Sequence, residues 1–452
     1  MLISSERDIS VFLHLTNFFQ IRVMDVSQLE SNVRKHISKE PMEYKAHKIT
    51  VGKLPLTGLI RGAIPMIFIL FAWFGCLMSY FILTVPSAIF VTLAVIGVNY
   101  LVTPPTGLKP GVVSARPETL LQSRISSALV PFVNYQPPWW CLDGHWATLL
   151  PLLLYKLPRR TDMLFQHLQS SDGCSLTLEW FLPSAPLKGV MLAIPGLNGS
   201  TNGGYMVDLV ERMSVEGYAV AALNGRGSGC SAIETVESSF HLGRSDDLLS
   251  AIEGVEKCCD LPIYILGYSA GGVRAVTFAA LNGEALRGRI AGVMSFGGSV
   301  SNTYTKEFPS SVFVYQPVIM HAYASTFLSK LTNDDHGIFE WFKRPFNTFV
   351  EFDARVTTQI LKISLAEYYD QVFAEKIYEN IAVPTLIVNA IDDPVLHVSD
   401  AIVEAMATSN SNVTLLATAK GGHIGWPSGL DAKKNGYKWI SEVALSYISS
   451  LK

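Results

Sequence analysis

The chain has 452 residues, of which 16% are charged, and a formal net charge of −3. This length suffices for one large catalytic domain with a sizeable core. Nucleic-acid binding needs a basic face, so the near-neutral charge balance argues against a nucleic-acid partner. The mean hydropathy of +0.29 is high for a soluble enzyme, and the excess has one local source.

The apolar excess comes from residues 62–108, which contain no Asp, Glu, Lys, Arg or His. The run Ile64–Val85 is long enough to span a bilayer as a helix, and Pro86 separates it from a shorter apolar run, Ala88–Val102. One spanning helix and a hairpin of two helices both fit this pattern. Basic residues on both flanks favour the hairpin, with both ends in the cytoplasm.

The composition divides the chain into four parts. Residues 1–56 form a mixed polar region to which no definite structure is assigned, and residues 57–105 form the membrane segment. Residues 106–129 begin with several Pro and Gly residues, which is typical of a linker. Residues 130–452 alternate short apolar runs with amphipathic stretches, which predicts one globular α/β domain.

The predicted strands of this domain are short, and the last five lack polar alternation. Strands covered on both faces have this pattern, so we expect a mostly parallel sheet with helices on both faces. The predicted strands are Leu176–Phe181, Val190–Ile194, Ala219–Leu223, Ile263–Leu266, Gly292–Phe296, Thr385–Val388 and Val413–Leu416. The predicted helices are Met206–Val215, Ser245–Lys257, Gly272–Leu281, Ala401–Ala407 and Lys434–Leu451.

One interval breaks the alternation of strands and helices. Roughly 80 residues separate Phe296 from Thr385, too many for a loop without structure of its own. The interval is rich in aromatic residues. We therefore expect a helical cap inserted at about residues 298–382, with an aromatic lining that suits an acyl chain.

The strongest chemical signal runs from Gly267 to Gly271, which reads Gly-Tyr-Ser-Ala-Gly. It follows the predicted strand Ile263–Leu266 and precedes a predicted helix, the context in which a strained turn exposes a nucleophilic serine. Glycines on either side let neighbouring chain segments approach the turn. The pattern predicts Ser269 as the nucleophile.

A catalytic serine needs a base and an orienting acid, and suitable residues follow in the order serine, aspartate, histidine. Asp392 and Asp393 follow the predicted strand Thr385–Val388, and His423 follows the next strand among glycines. Parallel strands end at one edge of a sheet, so these side chains should lie beside Ser269. His423 is the predicted base, then acid. Asp393 is favoured over Asp392 because it stands directly before the residues that turn the chain.

An oxyanion hole needs two backbone N–H donors aimed at the developing negative charge. Ala270, directly after the nucleophile, is expected to supply one. The loop Pro195–Ser200 follows the predicted strand Val190–Ile194 and is rich in small residues. Leu197 of this loop is the candidate for the second donor.

The sequence predicts neither a cofactor nor a metal site. The six cysteines are scattered and none forms a Cys-x-x-Cys motif, so we expect buried thiols rather than disulfides or a zinc site. The chemistry of a Ser-His-Asp triad needs no cofactor.

These motifs together resemble the AB hydrolase 4 family, the membrane-associated α/β-hydrolase-domain lipases and medium-chain ester synthases and hydrolases. The resemblance covers most of residues 130–440 and implies an α/β-hydrolase fold with the triad Ser269, Asp393 and His423. Ala147 departs from the family pattern, which usually has glutamine there. Further matching segments are Trp140, Gly144-His145, Thr148, Asp172-Gly173, Glu179-Trp180, Asn224-Gly225-Arg226-Gly227, Phe352-Asp353 and Tyr368-Tyr369.

The sequence thus predicts a membrane-anchored serine hydrolase whose substrate is a lipid ester: an acylglycerol, a phospholipid or a medium-chain fatty acid ester. The alternative is an acyltransferase or ester synthase, in which an alcohol replaces water at the acyl-enzyme of the same triad. A binding module without activity would not need an intact triad. The expected location is the endoplasmic reticulum or another endomembrane, with the catalytic domain facing the cytoplasm.

Overall fold

The computed structural model describes residues 24–36 and 109–452, apart from residues 116–117, 142, 156–157, 159, 230, 232, 234–238, 302–310, 331–340, 343, 345 and 397–399. The predicted membrane segment, residues 57–105, lies outside the described residues, as does most of the region 1–56. In the parts that are described, no helix has the length and apolar character needed to cross a bilayer.

Among the described residues, nine strands form one sheet. They are β1 (Gly111–Val113), β2 (Leu164–Gln169), β3 (Ser175–Phe181), β4 (Gly189–Ile194), β5 (Tyr218–Asn224), β6 (Ile263–Tyr268), β7 (Ile290–Phe296), β8 (Thr385–Ala390) and β9 (Val413–Thr418). Their spatial order is β1-β9-β8-β7-β6-β4-β5-β3-β2. The strands from β5 to β9 in this order are parallel, and β1, β2 and β3 add antiparallel edges.

Helices pack on both faces of this sheet. In the described parts they are α1 (Val26–Lys35), α2 (Leu120–Val133), α3 (Gly144–Leu154), α4 (Gly204–Val215), α5 (Asp246–Glu256), α6 (Ala270–Asn282), α7 (Gln316–Lys330), α8 (Phe349–Phe352), α9 (Thr358–Leu361), α10 (Leu365–Val372), α11 (Asp400–Ser409), α12 (Ala432–Asn435) and α13 (Lys438–Ser450). Alternate residues of β4 enter two different apolar cores: Leu192 joins the one with α1, α5, α6 and α11, and Met191 joins the one with α2, α4 and α13. This two-faced burial explains the continuous apolar strands.

The structure confirms the predicted fold class. Every predicted strand is present, with ends within two residues of those expected. Four of the predicted helices agree equally well. The fifth, Lys434–Leu451, is divided into α12 and α13 around Gly436 and Tyr437.

The region preceding residue 130 contains elements that the sequence pattern does not predict. β1 and the greater part of α2 lie in the segment 106–129, for which the composition predicts a linker. The Pro and Gly residues stop before Thr119, which begins α2 with a capping box to Gln122. α1 lies in the region 1–56 and buries Leu29 in the core of the domain.

Helices also occupy the described part of the predicted cap, residues 298–382. They are α7 to α10, with π-helical turns at Ser311–Tyr315 and Asp353–Thr357. The cap aromatics pack on one another: the ring centroids of Phe327 and Phe342 lie 5.1 Å apart. Leu197 packs against this cluster, so the cap covers the loop that follows β4.

Candidate active site

Ser269 occupies the turn between β6 and α6. Its φ of +51° lies in the left-handed region, which is strained for a serine. Its N–H donates to the Phe296 carbonyl at 2.9 Å, which holds the turn against β7. A Cβ on Gly267 would lie 2.1 Å from the Gly271 oxygen, and one on Gly271 would lie 2.3 Å from the Ile194 oxygen. The turn therefore requires both glycines of the motif.

His423 connects this serine to an aspartate. Its Nε2 lies 2.8 Å from Ser269 Oγ, and its Nδ1 lies 2.7 Å from Asp393 Oδ2. The other carboxylate oxygen, Oδ1, accepts hydrogen bonds from the N–H groups of Val395 and Leu396 at 2.8 and 3.0 Å. The Asp393 side chain is 2% exposed, so this carboxylate is held on both sides and shielded from water. The arrangement can accept the serine proton and stabilise the resulting imidazolium.

Asp392, the alternative acid, contacts the backbone of the histidine loop instead. Its Oδ1 accepts a hydrogen bond of 2.9 Å from the Gly422 N–H. Burial raises the pKa of Asp392 to about 6, which the nearby Lys420 only partly offsets. This geometry favours Asp393 as the orienting acid. Asp392 instead stabilises the histidine loop through Gly422.

Helix α3 supports both the acid loop and the histidine loop. Thr148 Oγ1 accepts a hydrogen bond from the His423 N–H at 2.8 Å and donates to the Gly144 carbonyl at 2.7 Å. A Cβ on Gly144 would lie 1.8 Å from the backbone carbonyl oxygen of Asp392, so only glycine fits at this contact. Ala147, where the resemblance leads one to expect glutamine, is also buried beside this loop. The family resemblance includes Gly144 and Thr148, but it does not reveal that they contact the loops of Asp392 and His423.

The two candidate oxyanion donors belong to segments that adjoin Ser269. Ala270 begins α6, where a backbone N–H has no acceptor within the helix. A Cβ on Gly196 would lie 3.4 Å from Ser269 Cβ, which brings the adjacent Leu197 close to the serine. The Gly196 N–H donates to Tyr205 Oη at 3.3 Å and steadies the loop.

A buried carboxylate fixes the far end of the same loop. Glu179 on β3 accepts hydrogen bonds from Thr201 Oγ1 at 2.5 Å and from Asn224 Nδ2 at 2.6 Å. The loop after β4 is thus connected to the carboxyl end of β5. In the sequence, Glu179 and Asn224 appear only as parts of the family resemblance. Their contact depends on the pairing of β3 with β5, two strands that are far apart in the chain.

A cluster of ion pairs stabilises the loop after β5, which contains Arg226. The Arg226 side chain is fully buried and lies 2.6 Å from Asp172 and 2.7 Å from Asp247. Burial alone would raise the pKa of Asp172, but the hydrogen bonds from Arg226 lower it to about 2. These ion pairs connect the β2–β3 turn to α5, so the Arg226 motif is structural.

A small cavity lies beside the loop Pro195–Ser200, here called the oxyanion loop because it contains the candidate donor Leu197. Its volume is about 20 Å³, enough for one water-sized molecule. Leu197, Phe240, Arg274 and the cap residue Tyr323 contribute to its walls.

The cysteines that the structure describes are Cys141, Cys174, Cys258 and Cys259, and all four are buried thiols outside any disulfide. The other two, Cys76 and Cys230, lie outside the described residues. Within the part of the chain that is described, His, Cys, Asp and Glu form no group arranged to hold a metal ion.

Comparison with known proteins defines the family. The sequence model of the family Hydrolase_4, described as serine aminopeptidase, S33, matches residues 185–423, just over half of the chain. The chain belongs to this family of the α/β-hydrolase superfamily. Membership agrees with the sheet order, the serine turn and the resemblance carried by the motifs.

The curated relatives are distant in sequence. Phospholipase ABHD3 of Homo sapiens is 25% identical over 322 residues, covering 67% of this chain and 76% of the relative. Monoacylglycerol lipase ABHD2 of Danio rerio is 23% identical over 356 residues, covering 74% and 81%. The putative esterase YheT of Escherichia coli (strain K12) is 26% identical over 298 residues, covering 63% and 84%.

Similar solved structures are more distant still. Est1E from Butyrivibrio proteoclasticus is 15% identical with a TM-score of 0.39, covering 63% of this chain and 99% of that one. DcsB, in complex with its substrate analogue, is 14% identical with a TM-score of 0.42, covering 64% and 99%. The fold assignment therefore depends on the sheet topology and the family match.

Proposed function

We propose that this chain is a serine esterase that cleaves a carboxylic ester of a lipid, with Ser269 as its nucleophile. The observation that carries the proposal is the hydrogen-bonded series Ser269–His423–Asp393 at a strained turn. A serine hydroxyl within 2.8 Å of an oriented imidazole has the base that its activation requires.

The geometry supports an acyl-enzyme mechanism. His423 Nε2 accepts the hydroxyl proton while Ser269 Oγ attacks the carbonyl carbon, and the N–H groups of Ala270 and Leu197 stabilise the oxyanion. His423 then donates the proton to the leaving alcohol, and the acyl group remains on the serine. Water attacks this acyl-enzyme with His423 again as base, while Asp393 holds the imidazole tautomer and stabilises its charged form.

A lipid is the substrate class that the cap side chains beside the oxyanion loop favour. Leu197 and the cap residue Tyr323 border the cavity beside the oxyanion loop, and an aromatic cluster lies behind them. Leu197 and the aromatic side chains of the cap would gain free energy by burying an acyl chain. Two relatives are named phospholipase and monoacylglycerol lipase, which agrees with such a substrate.

We also propose that residues 57–105 hold the enzyme on an endomembrane, with the catalytic domain facing the cytoplasm. The support is the uncharged run 62–108 with basic residues on both flanks. A membrane location would place the site where lipid esters are concentrated.

The decisive experiment is fluorophosphonate labelling of the full-length protein, followed by turnover of lipid esters. Ser269→Ala should lose both the label and the turnover while remaining folded, because only a small side chain changes. Ser411→Ala is the control, since this exposed serine precedes β9 at the opposite edge of the sheet. Labelling or turnover retained in Ser269→Ala contradicts the proposal. Product analysis with an added alcohol distinguishes hydrolysis from acyl transfer.

A further inference from the structure

Exposed apolar side chains concentrate on α3 and its flanks. α3 contains no charged residue, and its last turn presents Leu152, Leu153 and Leu154 to solvent. Leu430 stands in the loop before α12, which packs against α3, and Trp139 precedes α3 in the chain. These five side chains, here called the α3 apolar surface, are 37–80% exposed. Consecutive exposed leucines indicate a binding surface, since each leaves apolar area in water.

α3 lies along the edge of the sheet that carries the triad. Its first turn contacts Asp392 after β8, and Thr148 bonds to the histidine loop after β9. At its other end, Tyr155 packs against Gly204, the first residue of α4, and against Tyr437, just before α13. All these partners follow the carboxyl ends of strands, so the whole helix lies at the carboxyl edge.

After the predicted membrane segment, the chain returns to the domain at the same edge. Gly111 at the start of β1 pairs with Ala417 near the carboxyl end of β9. The predicted membrane segment ends at residue 105, and the few residues between them span at most about 20 Å when extended. The membrane segment and the α3 apolar surface are therefore joined to one side of the molecule.

We propose that the α3 apolar surface inserts into the membrane interface and sets the carboxyl edge of the sheet against lipid. Leucines suit the acyl region, and an exposed tryptophan suits the level of the headgroups. The exposed Lys433 and Lys434 follow Leu430 and can contact lipid phosphates. Leu152 lies one helical turn, about 6 Å, beyond Thr148, so the histidine loop lies close to the lipid. The benefit rests on the proposed function: a lipid ester reaches Ser269 without leaving the interface.

Spin labelling of the full-length protein in phosphatidylcholine vesicles tests this contact directly. Leu153→Cys carries the nitroxide. The four described cysteines are buried and should not react with the label, so only Cys76 and Cys230 are replaced, by serine. Val215→Cys is the matched control, exposed at the end of α4 on the opposite edge. The label at 153 should collide with oxygen, which concentrates in lipid, and be shielded from a water-soluble nickel chelate. The label at 215 should show the reverse.

Two other results at position 153 overturn the proposal. Collision with the nickel chelate would place the surface in water, and shielding from both reagents would mean that protein covers it. That protein would be either a second copy or another segment of this chain.

Turnover gives a second measurement. The double variant Leu152→Ser/Leu153→Ser should lose about tenfold in hydrolysis of a vesicle-embedded ester and keep its kcat/KM on a soluble short-chain ester. Val215→Ser/Leu281→Ser, two exposed positions at the opposite edge, should change neither rate. Equal rates of the double variant and the wild type on the vesicle ester refute the docking. Absence of turnover by the wild type on both esters would refute the proposed function alone, since spin labelling requires no turnover.

Discussion

Thr148 accepts a 2.8 Å hydrogen bond from the backbone N–H of His423, across 275 positions of sequence. Asp393 orients the imidazole ring of the histidine, whereas Thr148 fixes its backbone. The proposed base is therefore held by two elements, the loop after β8 and the helix α3, which precedes most of the sheet in the chain.

Thr148→Val should lower kcat on a soluble ester about tenfold with little change in KM. Valine keeps the shape of threonine but leaves the His423 N–H unpaired, which should also cost about 1–3 kcal/mol in the free energy of unfolding. Thr148→Ser retains the acceptor and is the control. Steady-state kinetics and urea unfolding give both quantities. Wild-type kcat in the valine variant would mean that the backbone bond does not position the base.

Asp393→Asn should reduce kcat by orders of magnitude, because the amide can hold the wrong imidazole tautomer. The same change in a serine protease triad costs about 10⁴-fold. Asp392→Asn should cost far less, since its amide oxygen can still accept from the Gly422 N–H. Kinetics of the two variants, made side by side, decide the matter. The reverse ranking would assign the acid to Asp392.

Stability should depend on pH through Asp392. Its pKa rises from 3.8 to about 6 on folding, chiefly by burial. The folded state therefore binds more protons between these values, and the free energy of unfolding should fall by on the order of 1–3 kcal/mol as the pH rises through this window. Asp392→Asn should remove that part of the slope. Urea unfolding at pH 4 and pH 7 measures the change in the free energy of unfolding. An equal change in the wild type and in Asp392→Asn would show that Asp392 does not cause it.

The sheet, and the residues that meet at the candidate site, could be predicted because their signals are local. Fully buried parallel strands are continuous apolar runs, and the serine turn demands two glycines that the sequence displays. The choice between Asp392 and Asp393 is different, because adjacent carboxylates in one turn differ only in what they contact. The sequence favours Asp393 by its position, and the structure adds the contact with His423.

Two elements that the sequence pattern does not predict, α3 and β2, lack such a local signal. α3 is apolar almost throughout and contains Pro151, so it shows no helical periodicity. β2 is a half-exposed edge strand in which Gln166 is buried because its side chain bonds to Gly254 and Trp180. The role of Thr148 depends on a tertiary contact that no spacing encodes.

Leu29→Ala should lower the free energy of unfolding by about 2–4 kcal/mol. Leu29 on α1 is fully buried against the main core, and Asn32 anchors the helix through a 2.9 Å bond to the Cys258 carbonyl. Ser31→Ala, at an exposed position on the same helix, is the control. Chemical denaturation measures both. A loss below 0.5 kcal/mol would mean that α1 is not part of the folded domain, and a truncation that starts at residue 106 would then be harmless.

Tyr323→Ala should shift the preferred acyl chain of the enzyme towards longer esters. Tyr323 borders the cavity beside the oxyanion loop, and its hydroxyl donates to the Phe240 carbonyl at 3.3 Å. Removing the ring creates apolar space beside Leu197, and each further methylene buried there is worth about 0.8 kcal/mol, or about fourfold in kcat/KM. Hydrolysis of an acetate ester should change little.

The measurement is kcat/KM over p-nitrophenyl esters of two to twelve carbons. Phe346→Ala is the matched control: it belongs to the same aromatic cluster but is not among the residues that border the cavity. It should lower stability, as large-to-small changes in a core do, without moving the chain-length optimum. An equal shift in both variants would mean that loosening of the cap sets the optimum. A profile that is flat and unmoved by Tyr323→Ala would show that these aromatics only pack the cap onto the sheet.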